Sequence, residues 1–117
     1  YHPAVLRALK KIVQSFERHG KEISLCGEQA HDVDYLPFLA GIGIRTLSVD
    51  PRCIPAVQRA LVEGTLEEWV HHTESLLAEK TVEGVLNLVR DYRQSHYLPL
   101  DSHGSCQVRA GIPEEPV

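Results

Sequence analysis

The stretch Ile23-Ser24-Leu25-Cys26-Gly27-Glu28-Gln29-Ala30-His31-Asp32 decides how the rest of the chain is read. Its first four residues alternate apolar with small polar side chains. Successive side chains of a strand point to opposite faces, so Ser24 and Cys26 share one face and Ile23 and Leu25 the other. Gly27-Glu28 then breaks the alternation, Asp32 or Asp34 can cap a helix, and Pro37 is tolerated only in a helix that has just begun. Cys26 therefore stands at the carboxyl end of a strand that runs into a helix. In parallel sheets and barrels that rim carries chemistry, but a lone cysteine is more often a small buried apolar residue, and on the local pattern alone that plainer reading of Cys26 comes first.

Working outward, the pattern alternates between helix and strand. Pro3 suits a first helical turn, and Val5, Leu6, Leu9, Ile12, Val13 and Phe16 recur at helical spacing up to Gly20. After the strand Ile23–Cys26, a second helix is expected from about Asp34 to Ala40, stopped by Gly41-Ile42-Gly43, and a second strand over Thr46–Val49. Asp50-Pro51-Arg52 reads as a turn, and Pro55 opens a third helix with Val57, Ala60 and Leu61 on its apolar face. Helix, strand, helix, strand, helix is the order of an α/β protein with parallel strands and crossover connections.

Beyond Gly64, Thr65 and Glu68 form a capping box for a helix bearing Leu66, Trp69, Val70, Leu76 and Leu77. Thr81 can cap another with Val85, Leu88, Val89 and Tyr92. These two are expected as terminal helices outside the sheet. From residue 99 to 117 the composition turns to Pro, Gly, Ser and charge without periodicity, which reads as a flexible tail. Two short strands leave open hydrogen-bonding edges, so neighbouring strands are expected from the rest of a longer parent, from a second copy or from rearrangement.

At 117 residues, 43% apolar and 24% charged, the composition is that of one globular domain or a piece of one. The formal charge of −4 offers no basic stripe, which argues against a nucleic-acid partner. No apolar run approaches the roughly 18–20 residues of a membrane span, so no membrane partner is expected and the localisation reads as cytoplasmic. The three cysteines, Cys26, Cys53 and Cys106, show neither zinc-site nor disulfide-framework spacing, which suits a reducing compartment. The absence of methionine is read as the mark of an excised segment.

Other chemistry-bearing residues have plainer readings. Cys26 and His31 with Glu28 between them make a Cys-x4-His pattern with no second pair, and no metal site is assigned. Glu28 is expected to orient the turn after Cys26. His71-His72 reads as a solvated helix face, since adjacent helical residues do not converge on one ion. Trp69 reads as a core anchor, and Arg52 as facing solvent rather than a phosphate. Cys53 and Cys106 receive no role.

Taken together, Gly20-Lys21, Leu25-Cys26-Gly27-Glu28-Gln29-Ala30, the run Leu39-Ala40-Gly41-Ile42-Gly43-Ile44-Arg45-Thr46-Leu47-Ser48-Val49, and Ile54-Pro55 resemble the C-terminal part of the phosphoenolpyruvate-utilising enzymes. The resemblance runs from Tyr1 to about Tyr97 and is closest to enzyme I, the phosphoenolpyruvate-protein phosphotransferase of the bacterial phosphotransferase system. His31 departs from the small residue that the family commonly has there.

The resemblance implies a (β/α)8 barrel of the TIM type, with residues 1–98 as its last two β/α units plus terminal helices. It implies a parent that passes the phosphoryl group of phosphoenolpyruvate to a protein histidine and releases pyruvate, with a phosphocarrier protein as partner and a homodimer as assembly. Cys26 matches the family's proton donor to the enolpyruvate carbon. That role needs a neutral thiol, the opposite demand from a nucleophilic cysteine. The Mg2+ cofactor, its carboxylate ligands, the phosphate-binding arginines and the phosphorylated histidine are all implied to lie outside this chain. A non-catalytic dimerisation or regulatory module derived from the same barrel is the alternative.

Overall fold

The computed structural model describes residues 1–96. The expected tail at 99–117 lies outside the described residues. Helix α1 runs over Pro3–Arg18, strand β1 over Ser24–Cys26, helix α2 over Leu36–Ile42 and strand β2 over Thr46–Ser48. Helices α3 (Ile54–Glu63), α4 (Leu66–Ala78) and α5 (Val82–His96) follow. The protein is thus a mixed helical chain with one small sheet, and its α/β order agrees with the alternation in the sequence.

The two strands are parallel, with Ser24 opposite Thr46, Leu25 opposite Leu47 and Cys26 opposite Ser48. The two-residue period places Leu25 and Leu47 on the half-buried face that packs against the core. Ser24, Cys26, Thr46 and Ser48 are exposed on the other. A sheet of two strands buries little by itself, and most of the core is helical.

That core is centred on α2. Leu36, Pro37, Phe38, Leu39 and Ile42 are all buried, because the short helix is wrapped by α1, α3 and above all α4. It begins two residues later than the sequence pattern places it. The Asp32 carbonyl accepts hydrogen bonds from the amides of Tyr35 and Leu36 at 2.9 and 3.2 Å, so a separate turn precedes the helix and Pro37 falls in its first turn. At its other end Gly43 adopts φ +113, a left-handed stop natural to glycine.

Helices α4 and α5 form a further layer on α1 and α2. The expected capping box is present: the Thr65 hydroxyl accepts from the Glu68 amide at 3.3 Å, and the Glu68 carboxylate accepts from the Thr65 amide at 2.9 Å. Thr81 likewise caps α5, accepting from the Gly84 amide at 3.0 Å. Arg7 of α1 donates to the carbonyls of Leu77 and Glu79, closing α1 onto the end of α4.

The α2–α4 crossing depends on Gly41. A Cβ there would lie 2.5 Å from the Trp69 carbonyl oxygen and would also strike the Thr73 hydroxyl. Thr73 can rotate, but the Trp69 carbonyl belongs to the α4 backbone and moves only with the helix. Gly41→Ala gains about 1 kcal/mol of helix propensity and is expected to lose about 1–3 kcal/mol to overpacking, so a net destabilisation is expected. Urea denaturation of the two proteins checks the sign; an alanine variant at least as stable as the parent would mean that the helices do not cross this closely.

Candidate functional site

Cys26 ends β1 with an exposed free thiol. Directly after it Gly27 takes φ +94 and ψ −171, a backbone conformation open essentially to glycine alone. A Cβ at Gly27 would meet nothing within 4 Å, so glycine is required for its backbone angles and not for space. The turn throws the chain into a single helical turn, Glu28–Ala30, and leaves the Cys26 side chain at the rim of the sheet.

Ser48 is the register partner of Cys26 on the same exposed face, with Ser24 and Thr46 one step behind. The face around the thiol therefore consists of small polar side chains. Sequence reasoning placed Ser24 beside Cys26 but missed Thr46 and Ser48; the same alternation, applied to Thr46-Leu47-Ser48-Val49, contains that signal.

The loop after β2 supplies the other side of the rim. Asp50 accepts from the Arg52 amide at 2.9 Å and pairs with its guanidinium at 3.0 and 2.7 Å. These hydrogen bonds lower the Asp50 carboxyl to about 2, with a smaller contribution from His31. Arg52 faces solvent with its charge already partnered, in line with the plain reading of that residue. Arg45 is also engaged, donating to the Ala40 and Ile44 carbonyls at 2.7 and 3.1 Å.

The loop carrying Glu28 and His31 is tied down from both ends of the described chain. The Tyr1 hydroxyl donates to Asp32 at 2.7 Å, and its ring meets Tyr35 edge to face with centroids 5.2 Å apart. Burial, reinforced by that carboxylate, raises the Tyr1 phenol. Arg93 of α5 pairs with Asp34 at 3.0 Å, while burial raises the Asp34 carboxyl despite this partner. The Glu28 side chain makes no hydrogen bond among the described residues, so its position in the first turn after Gly27 is its only visible role.

Two expectations need correction. His72 does not lie on a solvated face: it is 9% exposed and stacks on Tyr92, while its neighbour His71 is exposed. Adjacent positions on a helix point about 100° apart, and α5 covers only one of them. Cys53, for which no disulfide was expected, is fully buried and disulfide-bonded, so spacing alone misjudged it. Trp69 is buried at 7% exposure, as its reading as a core anchor requires. Among the described residues no group of three or more His, Cys, Asp or Glu side chains is arranged to hold a metal ion. No helix of the described chain is long and apolar enough to cross a membrane.

Comparison with known proteins identifies the family. A family model described as the PEP-binding domain of PEP-utilising enzymes matches residues 1–65, from α1 through α3. A Salmonella typhimurium protein named for the phosphoenolpyruvate-dependent phosphotransferase system is 45% identical over 60 residues, covering 51% of this chain and 8% of that protein. The phosphoenolpyruvate-protein phosphotransferase of Staphylococcus carnosus is 30% identical over 95 residues, covering 81% of this chain and 17% of the relative. That of Bacillus subtilis is 28% identical over 91 residues, 78% of this chain and 16% of its own length. The chain thus spans less than a fifth of the length of these relatives. With the Cys-Gly-Glu strand end, the parallel partner strand and the helix after it all inside the matched region, the chain belongs to the family of phosphoenolpyruvate-utilising enzymes.

Proposed function

We propose that this chain forms the last two β/α units of the phosphoenolpyruvate-binding barrel of a phosphoenolpyruvate-protein phosphotransferase, and that Cys26 protonates the enolpyruvate left after phosphoryl transfer. The observation that carries the reading is the position of Cys26. It is exposed at the carboxyl end of β1, on the polar face of a parallel sheet, within the matched region. In a barrel this polar face would line the interior, and the half-buried face with Leu25 and Leu47 would meet the surrounding helices. Among the described residues each strand has one partner only, which leaves an outer edge on each for a neighbouring barrel strand.

The reaction divides into two steps. The P–O bond of phosphoenolpyruvate breaks as a P–N bond forms to a histidine elsewhere in the enzyme, leaving the enolate of pyruvate. The Cys26 S–H then gives its proton to the methylene carbon, a C–H bond forms, and the thiolate recovers a proton from water. Gly27 keeps the thiol at the rim, and the tethered loop after it holds the mouth in shape. The phosphocarrier that receives the phosphoryl group and the homodimer belong to the same proposal. The cofactor Mg2+ is left to other parts of the enzyme, and neither step is derived through it.

Labelled phosphoenolpyruvate tests the reading. The enzyme carrying this segment is expected to acquire one acid-labile, base-stable phosphoryl group and to release pyruvate in equal amount; release of pyruvate without a phosphoprotein would overturn it. The 117-residue chain alone is expected to show no saturable binding of phosphoenolpyruvate by calorimetry at sub-millimolar concentration. The ligand is a multiply charged anion, and Arg52, in the loop after β2, is already paired with Asp50. Saturable binding would place the anion site on this chain after all.

A further inference from the structure

A second group of titratable side chains lies between α4 and α5. His72 of α4 stacks on Tyr92 of α5 with ring centroids 4.3 Å apart and planes 28° from parallel, and Tyr92 stacks on His96 at 4.0 Å and 13°. The Trp69 indole adjoins the Tyr92 hydroxyl. The three-ring stack spans the contact between the two helices, and its innermost member is the least able to carry charge. The Nε2 of His72 is buried without a hydrogen-bond partner among the described residues.

A neutral imidazole tolerates that position, whereas an imidazolium carries two N–H donors and a full charge. The charged groups bearing on His72 are His96 of α5 and His71 of α4, which carry the same sign once protonated. Glu68, one helical turn before His72, is engaged by the amide and hydroxyl of Thr65 at 2.9 Å each. We propose that the His72–Tyr92–His96 stack is a pH-sensitive latch: protonation of His72 releases α5 from α4 while the core of α1, α2 and α4 stays folded.

The direction follows from the burial. Burial first, then the neighbouring histidines, depress His72 from 6.5 to about 4 in the closed form. The open form therefore binds the proton first as pH falls. The latch is fully closed above about pH 6.5 and weakens as pH drops towards 4. The Arg93–Asp34 pair also tethers α5; because burial raises the Asp34 carboxyl in the closed form, its protonation as pH falls works against opening, so the test must separate the two.

Hydrogen exchange of the full 117-residue chain, corrected for the intrinsic pH dependence, is read helix by helix at pH 7.5 and 4.5. Amide protection in α5 is expected to fall about tenfold or more, with α1 and α2 changing less than about twofold. In His72→Phe, which keeps a ring on Tyr92 but carries no proton, the α5 change should shrink to less than about twofold. In the unsubstituted protein the His72 ring signal by NMR should titrate together with α5 opening, which keeps the test alive if the phenylalanine variant does not fold. Equal loss of protection in every helix, an undiminished pH response in His72→Phe, or separate midpoints for His72 and α5 would each overturn the latch.

Discussion

Cys26→Ala, made in the enzyme that carries this segment, is expected to slow pyruvate formation by about 10²–10⁴-fold while phosphoenolpyruvate binding is kept. The size follows from the role. A general acid that gives its proton to carbon acts in the transition state and adds little to ground-state binding, so turnover falls without a matching rise in KM. The thiol is exposed and makes no hydrogen bond among the described residues, so its removal should change stability by no more than about 0.5 kcal/mol. Cys26→Ser keeps a hydroxyl proton of far weaker acidity and is expected to remain slow. Rapid-quench measurement separates the steps: the phosphoenzyme should still form in a fast phase, with pyruvate lagging behind. An alanine variant with unchanged pyruvate release would remove Cys26 from the reaction and leave it an exposed side chain at a strand end.

The position of Cys26 was legible because the signals that fix it are local. Alternation from Ile23 to Cys26 identifies a strand and its faces, Gly27 ends it, and Pro37 marks the start of a helix within a few residues. The Thr65–Glu68 capping box was legible for the same reason, since a cap is a contact between residues three apart. The hub of the core was not. Helix α2 is seven residues long and almost wholly apolar, so no period distinguishes its buried side, and only its neighbours show that every side is covered. His72 was misjudged for a related reason: its burial is supplied by Tyr92, twenty residues downstream on another helix. Thr46 and Ser48 are an intermediate case, since the strand pattern was visible but its polar face gained meaning only once the register set Ser48 beside Cys26.

Because α2 is the hub, Phe38→Ala is expected to destabilise the chain more than any substitution on its surface. Phe38 is 1% exposed, and its ring lies 5.3 Å from that of Tyr35. Removing a buried phenyl ring forfeits its transfer free energy and leaves a cavity that helices on several sides can fill only by moving, at about 3–5 kcal/mol. Against a total stability of about 5–15 kcal/mol for a single domain, that is a large share. For a chain of this size it corresponds to a fall in Tm of more than about 12 °C. Val62→Ala is the matched control: Val62 is 85% exposed on α3, and its truncation should stay within about 0.5 kcal/mol. The packing also predicts where the damage goes, because α2 connects the loop after Cys26 to β2. Thermal denaturation of both variants, followed by circular dichroism, decides the matter. A Phe38→Ala loss below about 1 kcal/mol would mean that α2 does not occupy the centre of the core, and the rim that it holds in place would lose its foundation with it.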